Sequence, residues 1–156
     1  MLVLVGHAYG GAVIRNATRG NERVKALVYV AGFAPEAGES IGDLSGRYPG
    51  STHGSNLSPV ALADGSTDYY MRREEFHAHF AADVPSERVD LMASTQRPLR
   101  DSVLTEVSGR PAWGWLPSWF VFGTTKTYSP SSAGVTRGLH REMRRTWLDP
   151  IRLSVD

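Results

Sequence analysis

The stretch Leu2-Val3-Leu4-Val5-Gly6-His7-Ala8-Tyr9-Gly10-Gly11 decides the fold. Its first four residues form a continuous apolar run, which is typical of a strand buried on both faces of a parallel sheet. Glycines follow at positions 6, 10 and 11, and the pattern after them predicts a short helix from Gly10 to Thr18. The stretch therefore predicts a buried strand, a tight turn and a helix.

Two further apolar runs extend this unit into a sheet. Val24–Ala31 predicts a second buried strand, so the chain begins with a βαβ unit, whose crossover is right-handed in nearly all proteins. Trp119-Phe120-Val121-Phe122 predicts a third strand. The fold class expected from these runs is α/β, with a parallel sheet of about three strands.

A long segment separates the second and third strands. From Pro35 to about Pro59 it is rich in Gly, Ser and Pro and predicts loops and short turns. Asp64-Gly65 indicates the turn of a small hairpin. Helical spacing predicts helices at Arg73–Ala82 and at Ser86–Thr95, so we expect a mostly helical insertion.

Composition excludes several functional classes. The 156 residues carry a net charge of +1, which does not indicate nucleic acid or an anionic membrane as a partner, and the arginines of residues 137–145 fit a solvated surface better. The sequence contains no cysteine, which excludes disulfides, thiolate metal sites and a cysteine nucleophile.

The apolar run Met1–Gly6 is too short for a signal peptide core or a membrane span. As written, the sequence predicts a cytoplasmic protein. The alternative is that the natural protein starts further upstream, with a signal peptide that this sequence lacks.

The turn Gly6-His7-Ala8-Tyr9-Gly10 has the context of a nucleophile elbow, G-x-S-x-G, with alanine in place of serine. In such a turn the residues two positions on either side of the centre must be small. The central residue is held in a strained conformation that exposes its side chain. The N–H of the next residue, Tyr9, can donate to an oxyanion. The sequence thus predicts an oxyanion donor at Tyr9 without a nucleophile at Ala8.

Around this elbow the sequence resembles the bacterial esterase-like α/β-hydrolases with a VGHSYGGAVI segment. Leu4–Ile14 is similar to that segment, and Lys25–Pro35 is similar to the following strand of the group. The resemblance covers roughly residues 2–125 and continues in shorter segments: Glu39-Ser40, Phe76-His77, Phe80–Pro85, Thr95–Pro98 and Pro117–Phe120. It implies a Ser–acid–His hydrolase of a small, apolar, ester-like substrate, with a cap over the pocket and no cofactor.

The sequence departs from that family at each catalytic position. Ala8 stands at the nucleophile position and Lys126 at the position of the catalytic aspartate. His140 lies in an arginine-rich stretch without a preceding buried strand, and the strands that the family has upstream of the elbow strand are absent from this sequence. Loss of the nucleophile costs about 10⁶ in turnover in a triad hydrolase. We therefore expect a partial α/β-hydrolase fold without catalysis. The alternatives are a non-catalytic protein that binds a small ligand and a truncated product without function.

The resemblance also divides the chain. Residues 1–35 form the strand–elbow–helix–strand core, 36–115 the cap insertion, 116–128 the last core strand with the acid position, and 129–156 a divergent tail.

Four aromatic or histidine side chains are candidates for substrate binding. His7 in the elbow has two possible roles, one in the site and one in packing that supports the turn. His77 lies at a position that belongs to the cap in this family. Trp113 and Trp115 fit an apolar ligand and the core equally well. We expect no metal, because His77 and His79 are two apart on a predicted helix and point in different directions.

The expected partners are a small apolar ligand and a second copy of the chain. The edge of the Leu2–Val5 strand carries neither charge nor proline, so it predicts self-association.

Overall fold

A computed structural model describes residues 1–47 and 54–121 of the chain. Its regular elements are β1 (Leu2–His7), α1 (Gly10–Ala17), β2 (Val24–Val30), α2 (Ile41–Gly46), β3 (Leu57–Ala61), β4 (Thr67–Met71), α3 (Arg73–Phe80), α4 (Ser86–Thr95), β5 (Leu99–Arg100), α5 (Asp101–Thr105) and β6 (Ser118–Val121), with single 3-10 turns at Gly54–Asn56 and Ala112–Gly114.

The first sheet is parallel and has the order β1-β2-β6. Leu4 of β1 pairs with Leu27 of β2, and Leu27 pairs in turn with Ser118 of β6. The predicted βαβ unit and the third strand are therefore confirmed. The chain reaches β6 only after the insertion, as expected for a segment placed between two parallel strands.

One face of this sheet holds the core. Leu27 and Tyr29 of β2 are fully buried and pack with Ile14 of α1. The ring of Tyr29 stacks on Phe120 of β6 with centroids 4.6 Å apart and planes within 4°. Ala112, in the 3-10 turn before β6, is also fully buried in this cluster. These contacts join the elbow helix to the middle and last strands.

The opposite face of the sheet is bare. Val3 and Val5 of β1 are 50% and 62% exposed, and Trp119 and Val121 of β6 are 41% and 44% exposed. The apolar run of β1 predicted burial on both faces, and that prediction is wrong. The physical reason is that β1 is an edge strand, and nothing in the described residues covers this face well enough to bury it.

The insertion contains a second, antiparallel sheet of order β3-β4-β5. Gly65 has a φ of 84°, which suits the β3–β4 turn that Asp64-Gly65 predicted. The predicted helices are confirmed as α3 and α4, which contribute Phe76 and Val89 to a separate hydrophobic cluster. The insertion is thus helical with an added sheet. The chain divisions at residues 35 and 115 stay a prediction.

The segment from Pro35 to Pro59 was predicted as loops, and α2 and part of β3 show that this is wrong. Helix α2 begins with a capping box. The Ser40 side chain accepts a hydrogen bond from the Asp43 N–H at 3.1 Å, and the Asp43 carboxylate accepts one from the Ser40 N–H at 2.9 Å. Hydrogen bonds from the Ser40 side chain and backbone hold the pKa of Asp43 below its ordinary value.

Replacing the cap tests this description. We expect Ser40→Ala to lower the free energy of unfolding by about 1 kcal/mol in urea denaturation at pH 7. Because the folded-state pKa of Asp43 is depressed, its contribution is present above its unfolded pKa and is lost as pH falls through the folded value. The difference between Ser40→Ala and the parent protein should therefore shrink below about pH 4. Ser45→Ala, later in the same helix, is the matched control and should change little; an equal loss for both variants would contradict the cap.

Candidate functional site

The turn between β1 and α1 has the strained geometry expected of an elbow. Ala8 has a φ of 48°, in the left-handed region, and Tyr9 returns to φ −56° and ψ −30° at the N-cap of α1. A left-handed alanine costs about 1–2 kcal/mol. Such strain persists only where surrounding structure fixes it. The strained central residue that the sequence predicted is therefore present.

Backbone contacts too close for a side chain hold the turn. A Cβ atom on Gly6 would lie 2.4 Å from the carbonyl oxygen of Gly10, and one on Gly11 would lie 2.4 Å from the carbonyl oxygen of Phe33. A Cβ on Gly10 would meet nothing within 4 Å. The requirement for small neighbours is confirmed at Gly6, but the second tight position is Gly11 rather than Gly10. The reason is that Gly11 faces the chain after β2.

Hydrogen bonds tie the same turn to the end of β2. The carbonyl of Ala8 accepts from the N–H of Gly11 at 3.1 Å and from the N–H of Phe33 at 2.9 Å. The N–H of Ala8 donates to the carbonyl of Val30 at 3.3 Å. These bonds leave the backbone of Ala8 little freedom to relax its positive φ.

The N-terminal end of α1 offers an open donor. The carbonyl of Tyr9 accepts from Ala12 and Val13, but the Tyr9 N–H has no acceptor among residues 1–47 and 54–121. A helix N-terminus carries partial positive charge, so an unpaired N–H there favours an anion. The Ala8 side chain, next in sequence to this donor, is a methyl group and supplies neither nucleophile nor proton acceptor.

The candidate binding residues lie in different environments. His7 is exposed at the end of β1, and Trp115 is 56% exposed. Trp113 is half-buried against the core cluster of the first sheet. His77, exposed on α3, lines a cleft of about 420 Å³ between α3 and α4.

This α3–α4 cleft does not include the elbow. Its other lining residues are mostly polar or charged: Arg73, Glu74, Ser86, Val89 and Asp90. Among the described residues, this cleft contains His77 but neither His7 nor the candidate tryptophans.

Two further predictions concern a metal site at the histidines of α3 and the catalytic acid position at Lys126. The Nε2 of His79 lies 3.1 Å from the carboxylate of Glu75, one helical turn away, whereas His77 lines the α3–α4 cleft. Within the described part of the chain, no group of three or more His, Asp and Glu side chains is placed to hold a metal ion. Lys126 lies outside the described residues, so the loss of the acid stays a prediction from sequence.

Arg15 is a structural residue that the sequence did not reveal. Its side chain is 0% exposed, and its Nη2 donates to the carbonyl of Gly109, in the chain leading to β6. Burial lowers the pKa of Arg15, and burial raises that of the neighbouring Tyr29 hydroxyl. An arginine on an amphipathic helix normally predicts a solvated position, so the pattern gave no signal that it links the elbow helix to the end of the insertion.

Known proteins match the chain by structure only. No protein-family profile and no curated protein matches the sequence. A polyneuridine aldehyde esterase mutant superposes with a TM-score of 0.63 at 14% identity, over 87% of this chain and 58% of the esterase. An extracellular α/β-hydrolase from a Paenibacillus species gives 0.59 at 17% identity, over 86% and 58%. A methylesterase from Arabidopsis gives 0.55 at 13% identity, over 90% and 69%. The chain has part of the α/β-hydrolase fold.

This partial α/β-hydrolase fold confirms the fold class predicted from sequence, and the chain spans 58% of the first of these relatives. No helix in the described ranges is long and apolar enough to cross a membrane.

The glycine contacts predict opposite changes in the free energy of unfolding when alanine replaces Gly6 or Gly10. Gly6→Ala should destabilise the protein by about 3 kcal/mol, because its Cβ meets the Gly10 backbone, which cannot swing away. Gly10→Ala should stabilise it by about 0.5 kcal/mol, because its Cβ meets no atom and alanine restricts the unfolded chain. Urea denaturation of both variants measures this, and similar losses at both positions would show that the turn is not packed as described.

Proposed function

We propose that this chain is a catalytically silent α/β-hydrolase whose ancestor hydrolysed small, apolar esters. The observation that carries the proposal is Ala8, which has a φ of 48° in a turn closed by Gly6 and Gly11. The site has the backbone of a nucleophile elbow with a methyl group where attack would begin. The matched esterase and methylesterase support an ester as the ancestral substrate.

The chemistry shows why the alanine is decisive. In acyl transfer by a serine at this position, the Oγ–carbon bond forms as a histidine takes the hydroxyl proton, and the carbonyl oxygen becomes an oxyanion. The methyl of Ala8 has no lone pair, so this bond cannot form. The Tyr9 N–H is proposed to remain as one oxyanion donor. Donors and binding alone retain only about 10³-fold to 10⁴-fold catalysis over water in a triad hydrolase.

The proposal extends to the catalytic acid, which orients the histidine base in this family. Lys126 stands where the resemblance places the acid. A protonated lysine cannot accept a hydrogen bond from a histidine, so it cannot hold an imidazole as an aspartate does. Restoring serine at position 8 would therefore leave the hydroxyl without an oriented base.

We also retain a cytoplasmic location as a proposal from the sequence.

Binding of an apolar ligand without turnover is the second candidate function. This candidate rests on Trp115, whose large aromatic ring is 56% exposed and therefore available for contact with an apolar ligand. The α3–α4 cleft beside His77 is mostly charged and does not favour an apolar ligand.

Activity measurements test the first proposal. We expect no hydrolysis of p-nitrophenyl acetate or butyrate above the buffer rate, because the Ala8 methyl cannot attack. Ala8→Ser should also be inactive, because the resemblance places Lys126 at the acid position and His140 follows no predicted buried strand. Thermal unfolding of Ala8→Ser, compared with the parent protein, controls for folding. Ester turnover by the parent protein would refute the proposal. Turnover in the folded Ala8→Ser variant that a serine-directed fluorophosphonate abolishes would show instead that a working base is retained and would refute the extension to the other catalytic groups.

Fluorescence tests the second candidate separately. Titration with 1-anilinonaphthalene-8-sulfonate should give saturable binding that Trp115→Ala weakens and that Leu91→Ala, at a 64% exposed residue of α4, leaves unchanged. Equal binding by both variants would remove the support that Trp115 gives to this function.

A further inference from the structure

The insertion meets the core at a neck formed by two paired segments, residues 38–39 and 108–109. The N–H of Gly38 donates to the carbonyl of Ser108 at 2.7 Å, and the N–H of Ser108 donates to the carbonyl of Glu39 at 2.8 Å. Ser108 is buried. The chain that enters the insertion and the chain that leaves it are therefore held side by side where they reach the core.

Arg15 of α1 fastens this neck to the elbow helix from inside the protein. Its Nη2 donates to the carbonyl of Gly109, and its side chain is fully buried. Its Nε and Nη1 are also buried and have no acceptor within residues 1–47 and 54–121, and the same holds for the hydroxyl of Tyr29. The guanidinium is thus a buried charge that is hydrogen-bonded on one side only.

The charges near Arg15 do not compensate for its burial. Burial lowers its pKa, and the carboxylates of Glu36 and Glu39, which favour the charged form, do not outweigh that effect. Arg19 brings a like charge close by, because a Cβ on Gly109 would collide with the Arg19 guanidinium. A desolvated charge with incomplete hydrogen bonding is costly to a folded protein, so the closed neck contains an unfavourable contact.

We propose that the neck opens reversibly in the folded protein, so that the insertion moves away from the elbow helix as Arg15 becomes hydrated. Opening breaks the hydrogen bonds of Gly38, Ser108 and Gly109 across the neck, and water replaces those bonds at little net cost. In return, the Nε and Nη1 of Arg15 gain hydrogen bonds to water.

The backbone of the neck suits such a movement. Gly38 has a φ of 85°, and glycine adopts conformations on both sides of φ zero with equal ease. Because α1 begins at the elbow, the state of the neck would set how closely the insertion lies against the helix that carries Ala8. This conformational change goes beyond the proposed function, since it does not depend on whether the elbow binds a ligand.

Native-state amide hydrogen exchange of the full chain, followed by NMR in urea below the unfolding transition, measures the opening. The N–H groups of Gly38 and Ser108 should exchange together, at least about a hundredfold faster than the N–H of Leu27 after correction for intrinsic rates. Their exchange should depend little on urea, because a local opening exposes little surface. The N–H of Leu27, which donates to Pro117 at 3.0 Å in the core, should exchange through global unfolding. Neck amides that exchange with the rate and urea dependence of Leu27 would overturn the proposal.

Arg15→Met tests whether the buried charge drives the opening. Methionine fills similar space without a charge, and the Arg19 guanidinium remains beside Gly109. Exchange of the two neck N–H groups should therefore slow at least about tenfold. Arg23→Met makes the same change at an exposed arginine and should leave neck exchange unchanged. Unchanged or faster exchange in Arg15→Met would show that Arg15 holds the neck shut or is neutral, and would contradict the proposal. The urea series on the parent protein decides the opening itself if Arg15→Met does not fold.

Discussion

The close approach of two backbones at Gly6 is the constraint on which the rest of the structure depends. With no side chain at this position, the end of β1 can lie against the carbonyl of Gly10. This contact fixes the angle at which α1 leaves the strand and requires a sharp turn at Ala8. The same turn offers its carbonyl to the Phe33 N–H, which anchors the chain leaving β2. The placement of α1, the strained residue at position 8 and the anchoring of the chain after β2 therefore all depend on this turn.

Sequence patterns predicted the parts of the fold that depend on local chemistry. The apolar runs and glycines gave β1, α1 and β2, and helical spacing gave α3 and α4. Helix α2 was missed although its capping box, Ser40-Ile41-Gly42-Asp43, is visible in the sequence, because the surrounding glycines and prolines outweighed it.

Burial was predicted less well, because it depends on what lies beside an element. The valines of β1 have the composition of a central strand, yet they are exposed at an edge. Arg15 has the composition of a surface residue, yet it is buried and bonded to Gly109. At the site, the sequence identified Ala8 and Tyr9 from their spacing. It could not show that His77 lies in the separate α3–α4 cleft, because that depends on how α3 packs against α4.

The central claim is that the elbow keeps its geometry and its open helix N-terminus without a nucleophile. The chain has no cysteine, so Ala8→Cys introduces a single thiol whose pKa can be measured from the pH dependence of iodoacetamide alkylation. Ala17→Cys is the matched control, at the other end of α1. The account predicts a thiol pKa clearly below the ordinary value of about 8.5 at position 8, and at or above it at position 17. Equal pKa values at the two positions would contradict it.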